Sequence, residues 1–161
     1  MSSTYLKTPP RIKVLEALGA LADGRVEVIN DKEAVVRSSD GTRMYKVYVD
    51  VSRREVDSTD NGTVHRGYVG YPIISFLMIK KLLPVNERLM QSLKGVPWRK
   101  LNEEYKSYAR VMEVIIRDRG LNEDEVNKYI DQVLSMLRRM GLKRTQRYNE
   151  VVEGRHVQIK D

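Results

Sequence analysis

Arg53, Arg54, His65 and Arg66, followed closely by Tyr68 and Tyr71, gather cations and aromatic rings into one short stretch of chain. Single-stranded nucleic acid is recognised by this combination, with guanidinium groups neutralising phosphates and rings stacking on unpaired bases. A second basic group, Arg138, Arg139, Lys143, Arg144 and Arg147, runs from the end of the last expected helix into the C-terminal segment. Cations in a last helical turn complement the helix dipole and need no ligand. Their continuation past Gly141 is better suited to phosphate contact. Arg53, Arg54, Arg66, Arg138, Arg139, Lys143, Arg144 and Arg147 are therefore candidate phosphate contacts, and Tyr68 and Tyr71 candidate stacking rings. The competing reading has the tyrosines covering a sheet edge and the arginines simply solvated. In a third group, Lys94, Trp98, Arg99 and Lys100, the indole follows Pro97 and is expected to anchor a helix in the core.

Catalytic chemistry finds less support. Asp50, Asp57, Asp60 and His65 could hold a hard cation of the kind that activates water. The same residue types also close turns with their own side chains, and no metal-ligand spacing favours the site. The chain has no cysteine, which removes thiol nucleophiles, disulfides and Cys-ligated metals together. Phosphate-binding P-loops, dinucleotide fingerprints and nucleophile elbows do not occur in it. Gly67-Tyr68-Val69-Gly70-Tyr71 precedes a helix, where backbone N–H groups attract anions, but Pro72 removes one donor. A non-enzymatic protein with no cofactor and no metal is expected.

Composition bounds the partners. Twenty-nine basic against 22 acidic residues leave a net charge of +7, which permits attraction to nucleic acid or acidic proteins, the alternative being a soluble, charge-rich surface with no polyanionic partner. The opening MSSTYLKTPP lacks an apolar core, and the longest apolar run, 71–83, is broken by Lys80 and Lys81. Neither suits a leader or a membrane span. With the missing cysteines this points to a cytoplasmic protein. Abundant Lys, Arg and Glu follow a thermophilic tendency.

These residues must be positioned by regular elements. Thr8-Pro9-Pro10 opens a helix with apolar positions Ile12, Val14, Leu15, Leu18 and Leu21, closed by Gly24. Short β-rich runs follow at 25–29 and 33–37. Strict alternation then marks 42–51, with Tyr45, Val47, Val49 and Val51 on one face and Met44, Lys46, Tyr48 and Asp50 on the other. Arg54–Ser58 pairs back. Asp60-Asn61-Gly62-Thr63 turns the chain into a helix apolar almost all round from Ile73 to Leu83, and helices follow at 85–93, 98–119 and 123–140. The expected fold is α+β: an N-terminal helix, an antiparallel meander of three to five strands, and about four helices packed on one sheet face. One domain spans 1–141, and a basic, mobile tail spans 142–161.

Residues 44–83 also resemble a SWIM-type ββα module. Tyr45–Val51 and Arg54–Ser58 correspond to its strands, and Ile73-Ile74-Ser75-Phe76-Leu77-Met78 to its helix start. The metal positions depart from that family's pattern. Its Cys-x-Cys falls on Val56 and Ser58 and its Cys-x-His on Gly70 and Pro72, none of which holds zinc. The resemblance implies a zinc-free module held by packing, with a role in nucleic-acid or protein interaction. The function expected first is nucleic-acid binding, and the alternative is a protein-interaction or assembly subunit. The oligomeric state stays open.

Overall fold

A computed structural model of the chain describes residues 4–148. The fold is mixed α+β. Four strands are consecutive and antiparallel: β2 (Val26–Val28), β3 (Glu33–Arg37), β4 (Met44–Asp50) and β5 (Glu55–Ser58). Their turns use side-chain acceptors. Asn30 Oδ1 accepts from the N–H groups of Lys32 and Glu33, both at 2.9 Å, and Asp40 Oδ1 accepts from Thr42 N at 3.0 Å. Asx turns of this kind redirect the chain without a backbone partner.

Two further strands complete the sheet. β1 (Thr4–Tyr5) and β6 (Lys143–Arg144) give the order β1-β6-β5-β4-β3-β2, with β6 parallel to β5 and antiparallel to β1. A parallel pair needs a long crossover, and here the helices form it. The segment expected to leave the domain at Leu142 therefore enters the sheet instead. Leu142 is buried in the core, Lys143 N donates to Arg54 O at 2.8 Å, and Thr145 N donates to Val56 O at 2.9 Å. The remainder of that expected tail, from 149, lies outside the described residues. Among the described residues the sheet has six strands, and β1 and β6 were not anticipated because two-residue strands carry no periodicity.

α1 (Ile12–Ala22) and α2 (Tyr71–Ile79) form the centre. Every residue from Ile12 to Ala20 is buried, as is every residue from Tyr71 to Met78. α2 packs on β2 to β5, and α1 packs on α2. Around them lie α3 (Glu87–Ser92), α4 (Trp98–Tyr105), α5 (Tyr108–Asp118) and α6 (Glu123–Met140). The single helix expected over 98–119 is broken. Lys106 turns left-handed at φ 52°, and Ser107 begins α5 by accepting from Arg110 N. Asn122 caps α6 by accepting from Glu125 N at 2.9 Å. Among the described residues no helix is long and apolar enough to cross a membrane.

Candidate functional site

Alternation in β4 divides the sheet into two unlike faces. Tyr45, Val47 and Val49 are buried against the helices, while Met44 and Lys46 are exposed and Tyr48 is half-buried on the other side. Cross-strand register carries that second face outward through Val35 and Glu27, paired beyond Lys46, and through Lys143 and Tyr5, paired beyond Glu55. Three tyrosines on it each lie beneath a cation. The Arg147 guanidinium is 4.3 Å from the Tyr48 ring centre, and Lys46 and Lys143 are each 6.0 Å from the rings of Tyr148 and Tyr5. Tyr5 is 69% exposed.

The segment after β6 is fixed onto this face by a buried carboxylate. Asp57 is fully buried, accepting from Arg144 Nε at Oδ1 and from Tyr148 N at Oδ2, both at 2.8 Å. An ion pair out of water holds only when its hydrogen bonds are also satisfied, and here backbone N–H groups complete the set. Arg147 in turn reaches Glu33 Oε2 at 3.2 Å. Hydrogen bonds from Asn30 and Arg147 lower the Glu33 carboxyl below its ordinary range. Burial raises the Tyr148 phenol, so that ring stays neutral.

The candidate residues are thereby sorted. Arg53 and Arg54 are exposed in the β4–β5 turn, beside Lys143 on β6, with Arg53 Nε 3.9 Å from Asp50 Oδ2. Arg147 joins them on the open face, and Arg144 serves to position it. Arg138 and Arg139 stand exposed on the last turn of α6, in the helical layer. Arg66 is exposed on a π-helical turn, Gly62–Arg66, and lines a cavity on that side. Tyr68 and Tyr71 are not surface rings. Tyr71, in the first turn of α2, is 4% exposed and meets Tyr45 edge-on at 6.3 Å, and Tyr68 is packed over Gly62. The glycine-spaced loop folds them inward, so neither can stack on a base. The rings on the second sheet face, Tyr5, Tyr48 and Tyr148, were missed. Tyr48 and Lys46 were legible as the polar side of the β4 alternation; Tyr5 and Tyr148 depend on strands too short to read.

The carboxylates considered for a cation belong to separate networks. Asp57 is held by Arg144. Asp60 is the hub of a different one: Ser58 Oγ donates to it, as do Thr63 Oγ1 at 2.9 Å and Thr63 N at 3.1 Å, and Gly70 N donates to Thr63 Oγ1 at 3.2 Å. Burial raises the Asp60 carboxyl above its ordinary range, against the lowering pull of these donors and of the Lys13 charge. Among the described residues no group of three or more His, Cys, Asp or Glu is arranged to hold a metal ion. Ser58 and Gly70 are thus joined through Asp60 and Thr63.

Fold and site together define a class: a mixed α+β protein with one sheet face built over by helices and the other studded with cation–tyrosine pairs. The chain belongs to the family described as Uncharacterised conserved protein UCP014422, whose model matches residues 6–143. No curated protein and no solved structure matches it.

Proposed function

We propose that the protein is a non-enzymatic binder of single-stranded nucleic acid, using the open face of its sheet. The observation that carries this is the set of three tyrosines under cations: Tyr5 with Lys143, Tyr48 with Arg147, and Tyr148 with Lys46. Tyr5 is exposed and Tyr48 and Tyr148 are half-buried; accessible rings on a sheet are stacking platforms for bases, each worth about 1–3 kcal/mol, and cations beside them track the phosphates. Arg53, Arg54, Lys143 and Arg147 are the phosphate contacts in this reading. A net charge of +7 would steer a polyanion toward the protein. The ββα outline of residues 44–83 accords with a zinc-free relative of SWIM-type modules in which the Asp60 hub replaces the metal as cross-link.

Fluorescence anisotropy with labelled single-stranded DNA, single-stranded RNA and duplex DNA tests it, across roughly 50 to 200 mM salt. Single strands should bind best, with log K falling by about 0.7 per phosphate neutralised for each decade of salt. Tyr48→Ala should weaken binding by about 1–3 kcal/mol without unfolding the protein. Absence of binding at the lowest salt sinks the proposal. A second reading, docking of a protein partner, is supported by an apolar groove of about 740 Å³ whose walls include Leu21, Met78, Leu82, Val85, Met90 and Met136. Association through that groove would persist at high salt, where phosphate contacts fail.

A further inference from the structure

The helical layer holds a cavity of about 610 Å³ where the π-helical turn meets the α4–α5 junction, lined in part by Arg66, Arg99, Asn102, Glu103, Lys106 and Tyr108. Three cations face one carboxylate there. Arg99 is fixed from two sides, its Nε 3.4 Å from both Asp40 Oδ2 and Glu103 Oε2. Lys106 adopts φ 52°, a left-handed conformation that side chains rarely take and glycine takes readily. Strain of this kind concentrates at ligand clamps.

Asn102 is held rigidly in the cavity wall. Its Nδ2 donates to Glu16 Oε2 at 3.0 Å, and Glu16 is itself buried and held by Lys13 Nζ at 3.1 Å. The amide is thus oriented from behind, and its Oδ1 is buried without a hydrogen-bond donor among the described residues. That oxygen is closed off from the cavity, so Asn102 forms part of its wall and is not itself a ligand contact. The Tyr108 ring, 38% exposed, adds a flat wall.

We propose that this cavity binds a nucleoside monophosphate, with Arg66, Arg99 and Lys106 around the phosphate and Tyr108 against the base. A cavity of this size lies within the range used for small ligands, roughly 300–1,000 Å³. The same group could arrive free or as the 5′-phosphorylated end of a strand.

Titration calorimetry on the full chain with AMP, GMP, CMP and UMP, and with adenosine and inorganic phosphate as controls, decides it. At least one monophosphate should bind saturably, about tenfold or more tighter than either control. Arg66→Gln and Lys106→Gly should each weaken it by about tenfold, the loss of one charge-assisted hydrogen bond. Neither should lower the melting temperature, since glycine suits the backbone at 106. Tyr48→Ala, on the sheet face, should leave monophosphate binding unchanged, which separates this site from the proposed strand-binding face. Tighter binding of a 5′-phosphorylated oligonucleotide than of its 5′-hydroxyl form, abolished by Lys106→Gly, would assign the site to strand ends; no such difference would assign it to free nucleotides. No saturable binding of any monophosphate, or binding that both cavity variants leave intact, overturns the proposal.

Discussion

At the scale of single residues, Asp60 is the most exacting position. Its carboxylate accepts from Ser58 and Thr63, and Gly70 lies so close that an added Cβ would collide with it. Gly70 has an ordinary φ of −74°, so space and not backbone freedom requires the glycine. Asp60→Ala strands several buried donors and is expected to cost about 3–5 kcal/mol in chemical denaturation. Gly70→Ala should cost about 1–3 kcal/mol by overpacking the same spot. Asp40 shows the opposite electrostatics to Asp60. Partial burial pushes its carboxyl up, but hydrogen bonds from Thr42 and Ser38 and the Arg99 charge outweigh that and hold it at about 2. A carboxyl depressed on folding stabilises above its unfolded pKa, about 4, and loses that contribution as pH falls through its folded value. The melting-temperature gap between wild type and Asp40→Asn should thus be constant near neutrality and close as pH falls from about 4 to about 2. For Asp60 the sign reverses: its raised carboxyl lets stability fall as pH rises above the ordinary carboxylate range.

At the scale of elements, β6 links the N-terminal strand β1 to the rest of the sheet. It supplies the only described hydrogen-bonded neighbour of β1 in the sheet and closes the helical crossover onto β5. Truncation after Gly141 would remove this strand and uncover Asp57, and is expected to lower the melting temperature of the whole domain. Hydrogen exchange offers a gentler check: the Lys143 and Thr145 amides, bonded to Arg54 O and Val56 O, should be protected. Exchange as fast as in a peptide would show that β6 is not formed. The long helices and the β4 alternation were readable because apolar side chains repeat at the period of each structure. β6 was not, because two residues contain no period and its position depends on partners nearly ninety residues away in sequence.

At the scale of the whole molecule, one continuous core joins α1, α2, the sheet and α6. The sole tryptophan, Trp98, is buried in it against Gly19, whose missing Cβ makes room for the indole. A single core predicts one cooperative transition. Unfolding followed by Trp98 fluorescence and by far-ultraviolet circular dichroism should therefore coincide; two separated midpoints would mean that the helical layer and the sheet unfold independently.

The sequence by itself determined the α+β class, the central strands, both core helices, the basic balance and the lack of cysteine, because each resides in composition or in local periodicity. It also set Lys46 and Tyr48 on the polar side of β4. Only the tertiary structure decided which tyrosines reach the surface. Tyr68 and Tyr71 look like loop residues beside arginines, yet Tyr71 is buried in the first turn of α2 and Tyr68 against Gly62, while β1–β6 pairing places Tyr5 and the Asp57 carboxylate fixes Tyr148 on the second face. Such long-range contacts leave no local signature, since the residues that bury or expose a ring need not be its neighbours in sequence.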